Sequence, residues 1–220
     1  MRLPVPTNQS QNPQALRWDQ INSNAETVIK HYVGRNLVSA YDTKRNISRL
    51  IMTANKDRGK IFPWKSRYQR LSDELQSICS YAEMGYEIYA DIANKRWVFD
   101  VIPGSDRTKS QTENDPVMFN MKYQNLDSYR YVEDYQNYRN TGFAGGEGED
   151  ENRLIYILGA NNSGINRYEE FLDCGNAKDI TELQYYGNQK LSESGIVKTI
   201  EAGALPRVFI YDKDYFLGDK

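Results

Sequence analysis

The hydrophobic period of the chain changes near Pro103-Gly104, and that change constrains the fold more than any other feature. Before it, apolar residues recur at helical spacing; beyond it, short strand-like runs dominate. Ala25, Val28, Ile29, Tyr32 and Val33 make an i, i+3, i+4, i+7, i+8 stripe after the cap signal Ser23-Asn24, and Gly34 is placed to end that helix. His31 falls off the stripe and is expected to be solvated. Asn46 to Thr53 reads as a strand, closed by the turn signal Lys56-Asp57-Arg58-Gly59. Leu71, Leu75, Ile78, Cys79 and Ala82 mark a second helix with Gly85 as its stop, followed by a hairpin with arms Tyr86 to Asp91 and Arg96 to Ile102. Trp97, Phe99 and Val101 share one face of the second arm, and Leu75 is expected to face Trp97 and Phe99.

After the switch, strand-like runs at 117–121, 127–134, 138–142, 153–158 and 167–172 are separated by turn residues, as in an antiparallel sandwich or barrel. One helix interrupts near 180–194, announced by the capping-box pair Asp179 and Glu182, with Leu183, Tyr186 and Leu191 inward and Gly195 at its end. Runs at 197–200 and 207–211 follow. The expected class is α+β: an extended N-terminal arm over 1–19, a helix-plus-hairpin layer over 20–102, and a mainly antiparallel β-barrel or sandwich region over 103–220. The last residues, Tyr215 to Lys220, read as the start of a strand or turn, so the C-terminal region is expected to be truncated, a piece of a longer chain.

Composition removes several function classes. Twenty-eight Lys and Arg against thirty Asp and Glu give a net charge of −2, which argues against binding nucleic acid through bulk charge. The run Leu154 to Ala160 is the longest apolar stretch, far below the roughly 20 residues that cross a bilayer. The start Met-Arg-Leu-Pro-Val-Pro-Thr has no apolar core of signal-peptide length, so the chain is expected to be soluble and intracellular when made. Cys79 and Cys174 lie too far apart, with no partner motif, for a disulfide framework or zinc site, and read as buried free thiols. With His31 the single histidine, most His-dependent chemistry is removed.

Four constellations invite functional readings. Gly145-Gly146-Glu147-Gly148-Glu149-Asp150-Glu151 has the oxygen ligands of a calcium loop but not their alternation, and reads as a solvated hairpin connection. Asn161-Asn162-Ser163-Gly164 lacks the Lys and Ser/Thr of a phosphate loop and reads as a turn. Glu169 and Glu170 are neighbours on a strand, so their carboxylates point to opposite faces. Tyr123, Tyr129, Tyr131, Tyr135 and Tyr138 could stack on bases, but acids balance the interleaved arginines, and a sheet face or subunit interface fits better. No catalytic, cofactor-binding or metal-ligating residue is assigned, and no cofactor is expected.

The order of short motifs from Val98 to Asp173 carries a resemblance. Val98-Phe99-Asp100-Val101, Gly104-Ser105-Asp106-Arg107-Thr108 and Pro116-Val117-Met118-Phe119 come first. Asn125-Leu126, Tyr138-Arg139-Asn140, Gly145-Gly146-Glu147-Gly148, Ser163-Gly164 and Arg167-Tyr168-Glu169-Glu170-Phe171-Leu172-Asp173 follow. The series resembles the tail-hub, or tail-associated minor structural, proteins of siphoviruses, with Tyr215 to Lys220 similar to a strand entry in that family. The resemblance implies a virion protein at the tail tip, made in the host cytoplasm and assembled as a trimeric ring below the tail tube. Its implied partners are copies of itself and other tail-tip and tail-tube proteins, without specific nucleic-acid binding or membrane insertion. Under this resemblance the acidic loop would face a central channel or an adjoining subunit. A peptidoglycan- or glycan-cleaving domain, or a host-surface carbohydrate-binding module, are the alternatives.

Overall fold

A computed structural model describes residues 18–220, so most of the expected N-terminal arm lies outside the described residues. The chain forms two compact units: 18–117 together with Tyr215–Lys220, and Met118–Asp214.

In the first unit, strand β1 (Asp19–Asn24) leads directly into helix α1 (Ala25–Val33). Asn24 makes the junction, its side chain accepting from the Thr27 N–H at 2.9 Å. The apolar stripe of α1 is fully buried at Ala25, Val28, Ile29, Tyr32 and Val33. Gly34 does not end the helix. Its backbone is right-handed helical and continues into a π-helical turn, Gly34–Val38. A Cβ at Gly34 would sit 3.0 Å from the Met52 Cε, so glycine is there for close packing, not for termination.

Strand β2 (Leu50–Met52) is shorter than the expected 46–53 run, and β3 (Ile61–Ser66) pairs antiparallel with β1. Helix α2 (Leu71–Ala82) buries Leu71, Leu75, Ile78 and Ala82. It stops at Glu83, which takes the left-handed conformation at φ 56°, so Gly85 is not the stop but the first residue of the next strand. Strands β4 (Gly85–Asp91) and β5 (Arg96–Ile102) form the expected hairpin, and β2 adds to β5 in parallel, giving the order β2-β5-β4. Phe99 and Val101 join Leu75 in the core, but Trp97 is 51% exposed. The apolar face of β5 thus outruns its cover, and the expected Leu75–Trp97 contact is absent from that core.

The first unit also closes on residues 215–220, which form turns and an isolated bridge. Asp219 accepts from the Ser105 N–H at 2.8 Å and from the Arg107 Nε at 2.7 Å, while the Lys220 N–H donates to the Ser105 carbonyl at 2.9 Å. Gly104, at φ 66°, lies so close to Gly218 that a Cβ there would collide with the Gly218 carbonyl oxygen. These contacts carry the first unit past the Pro103-Gly104 turn to Val117, so the division observed falls later than residue 102.

In the second unit, β6 (Leu126–Asp134) pairs with the distant β10 (Val197–Ala204) as a two-stranded antiparallel ribbon. Strands β7 (Thr141–Gly145), β8 (Ile155–Leu158) and β9 (Glu169–Asp173) form a sheet in the order β8-β7-β9. Helix α3 (Ile180–Glu193) packs on it through Leu183 and Gly187, and a Cβ at Gly187 would lie 3.0 Å from the Ala144 Cβ. The capping box is formed: Asp179 accepts from the Glu182 N–H at 2.8 Å, and Glu182 accepts from the Lys178 N–H at 3.1 Å.

The α+β class holds, with two corrections to its detail. Both three-stranded sheets are mixed, because β2–β5 and β7–β9 are parallel, and the described strands close no barrel. Having paired β8 antiparallel, β7 has one free edge, and the 159–168 connection brings β9 back along it in the same direction. The apolar runs at 117–121 and 207–211 form no extended strand; the first gives way to a 3-10 turn at Met121–Tyr123.

Candidate functional site

Of the tyrosine run, Tyr129 and Tyr131 lie on the ribbon, whereas Tyr123 sits in the preceding 3-10 turn and Tyr135 and Tyr138 follow the end of β6. Alternating Tyr129, Tyr131 and Glu133 on β6 stand opposite Ala202, Ile200 and Lys198 on β10, so these six share one face. Val132 and Arg130 stand opposite Thr199 and Glu201 on the other face. Neither face is covered. Every residue of β10 is exposed, as are all but the first of β6, with Tyr129 62% and Ile200 68% accessible.

Charge along the ribbon is paired strand to strand. Lys198 Nζ lies 3.6 Å from Glu133, and Arg130 lies 3.6 Å from Glu201. The Tyr131 and Tyr135 hydroxyls both donate to the Glu133 carboxylate. Those two hydrogen bonds hold the Glu133 carboxyl below the usual range and push both phenols up. At neutral pH the tyrosines stay as donors. The ribbon carries four acids, Asp127, Glu133, Asp134 and Glu201, against Arg130 and Lys198, so its tyrosine-bearing surface is mildly acidic.

The other sequence candidates do not assemble chemistry. Glu147, Glu149, Asp150 and Glu151 all lie exposed on the connection between β7 and β8. That loop is braced by backbone bonds, Gly146 N–H to Leu154 O at 2.8 Å and Glu147 N–H to Ala177 O at 2.8 Å, and Gly148 takes φ 112°. Among the described residues no group of three or more His, Cys, Asp or Glu side chains could hold a metal ion. Asn162 sits in a turn and donates to the Asn140 carbonyl at 2.7 Å. Glu169 pairs with Arg167, whereas Glu170 accepts from the Ser194 hydroxyl, so the two carboxylates diverge.

His31 corrects the reading of a solvated side chain. Its Nε2 lies 2.7 Å from the Asp19 carboxylate, which is almost wholly buried. The reason is β1: the strand, which has no strong apolar alternation, lays Asp19 beside α1. Sequence reasoning also missed a buried charged cluster around Glu26. Its carboxylate is fully buried and accepts from Lys30 at 2.6 Å and from Arg58 Nε at 2.8 Å. The i,i+4 spacing of Glu26 and Lys30 was a signal for the pair, though not for its burial. Cys79 and Cys174 are not joined in a disulfide; Cys174 is buried and Cys79 partly so.

Comparison with known proteins decides the relationship. A family model described as siphovirus ReqiPepy6 Gp37-like protein matches residues 2–220. The chain belongs to that siphovirus family. The siphovirus relationship read from the motif order is therefore correct. Solved structures that the family member matches include the crystal structure of the prophage MuSo2 43 kDa tail protein from Shewanella oneidensis, at 9% identity and a TM-score of 0.39. The match covers 91% of this chain and 53% of that one, so the chain spans about half the length of that protein. No curated protein matches. Among the described residues no helix is long and apolar enough to cross a membrane.

Proposed function

We propose that the chain is a structural component of a siphovirus tail, a tail-tip hub protein that assembles as a ring through the β6–β10 ribbon and performs no catalysis in this region. The ribbon carries the reading. A two-stranded sheet is marginally stable at best in water, and this one exposes both faces and both edges. A second copy supplies what is missing. The outer edge of β6 can receive the outer edge of another copy's β10 in the register already used within the chain, which sets Arg130 against Glu201 and Glu133 against Lys198 again. Such a head-to-tail contact closes into a ring when the rotation permits. Family membership supports a siphovirus tail component, and the tail-hub resemblance of the motif order is what implies the tail-tip placement, the trimer and contacts with tail-tube and other tail-tip proteins.

Sedimentation of the full chain at micromolar concentration tests this, with Ile200→Asp as the comparison. The expected result is a discrete oligomer for the native chain and, for the variant, a monomer that still unfolds cooperatively but at a lower melting temperature. A native chain that stays monomeric overturns the ribbon assembly, and virions that carry no copy at the tail tip by immunogold labelling overturn the placement. Clearing of purified cell walls in a turbidity assay would instead favour the cleaving enzyme.

A further inference from the structure

The far end of the β2-β5-β4 sheet holds a groove that the assembly reading does not use. It encloses about 270 Å³ and is lined by Ser48, Arg49, Asp91, Lys95, Arg96 and Trp97 among others. The Trp97 indole, left uncovered where β5 outruns the core, forms its aromatic wall. The Trp97 backbone N–H donates to the Arg49 carbonyl at 2.9 Å, which fixes the two residues side by side.

The charges around the indole are not balanced. Arg96 Nε donates to Asp91 at 2.8 Å, and Asn94 binds the same carboxylate, so the one acid lining the groove is already engaged. Among the described residues neither Arg49 nor Lys95 forms an ion pair. Two unneutralised cations therefore flank an open indole. Both also have left-handed backbones, φ 65° at Arg49 and φ 52° at Lys95. Glycine meets least resistance at such positions, so a long cationic side chain at each is not what the turn itself asks for.

We propose that this groove binds a phosphorylated sugar unit. The apolar C–H face of the ring stacks on Trp97, and the phosphate meets Arg49 and Lys95, whose two positive charges match the charge of roughly −1.5 to −2 on a phosphate monoester near pH 7. The volume, just under the usual range for small-molecule pockets, suits one ring and one anionic group. A single-stranded nucleic acid would need a longer track of aromatic and basic residues than one indole and two cations provide.

The test exploits the three tryptophans, which give three indole N–H signals in proton–nitrogen NMR spectra of the full chain. Trp97→Phe assigns one of them, and buried Trp64 serves as an internal control. Glucose 6-phosphate is expected to move the Trp97 signal saturably, with Kd on the order of 1 mM, and to leave Trp64 in place. Glucose and inorganic phosphate are expected to bind at least tenfold more weakly. The decisive variant is Arg49→Gly with Lys95→Gly, because glycine removes both charges at positions where its backbone freedom is favourable. It is expected to melt no lower than the native chain and to bind at least tenfold more weakly. Lys95→Gly alone, which touches only the hairpin turn, is expected to weaken binding at least threefold and keeps the question answerable if the double variant fails to fold. No movement of the Trp97 signal, or native affinity in the glycine variants, overturns the site. Equal binding of inorganic phosphate overturns the sugar, and tenfold tighter binding of AMP overturns it in favour of a nucleotide.

Discussion

Glu26 offers the sharpest test of how the first unit is held together. Its side chain is fully buried, and burial alone would push its carboxyl up; hydrogen bonds from Arg58 and Lys30 outweigh that and hold it down at about 2. The drop from 4.5 to about 2, at about 1.4 kcal/mol per pH unit, makes the folded state about 3 kcal/mol more stable with the carboxylate ionised. Because the folded value lies below the unfolded one, this stabilisation is complete above about pH 4.5 and is lost as the pH falls toward 2. Glu26→Gln leaves the Lys30 ammonium and the Arg58 guanidinium facing an uncharged amide, and is expected to cost about 3–5 kcal/mol at pH 7. Urea melts of the native chain and the variant between pH 7 and pH 2 check both clauses. The native curve should fall more steeply with acid below pH 4.5, and the two stabilities should converge. Parallel curves across that window, or a cost below about 1 kcal/mol at pH 7, would refute the reasoning.

Three further outcomes are expected. Leu75→Ala should lower stability by about 2–5 kcal/mol in chemical denaturation, while Trp97→Ala, on an uncovered stretch of β5, should cost no more than about 1 kcal/mol. Gly104→Ala should destabilise by roughly 1–3 kcal/mol, since a Cβ there collides with the Gly218 carbonyl, and should release 215–220 to proteolysis. Burial pushes the Cys79 thiol up to about 11, so peptide mapping should find it slow to alkylate at pH 8 in the folded chain and fast in urea.

Elements governed by local signals were legible in the sequence. The α1 and α2 stripes, the β4–β5 hairpin and the capping box of α3 depend on residues a few positions apart, and each lies within a few residues of its expected place. Strands β1 and β3 were not legible. Asp19–Asn24 is polar and Ile61–Ser66 contains a proline, so only their mutual pairing makes them strands. The parallel pairs escaped for the same reason: parallel and antiparallel partners carry the same alternation in so short a run. At the candidate surface the tyrosines were readable as a sheet face, but their pairing with β10 spans about 70 residues and leaves no periodic trace. The Trp97 groove was hidden by its chemistry. An indole in an apolar alternation looks like core until the fold is seen to leave it uncovered.

The return of 215–220 to the first unit has a consequence for how the protein is made. Unit 118–214 is an insertion, so the ribosome completes it before it delivers Asp219. At roughly 5–20 residues per second, the first unit waits on the order of 5–20 s without its last layer of contacts. During that interval Arg107 and the Ser105 amide lack their carboxylate, and the second unit has time to fold as a self-contained body. A chain ending at residue 214 and released from the ribosome would therefore present a folded insert on an unlatched host, a state that a mature subunit reaches again only by letting go of Asp219.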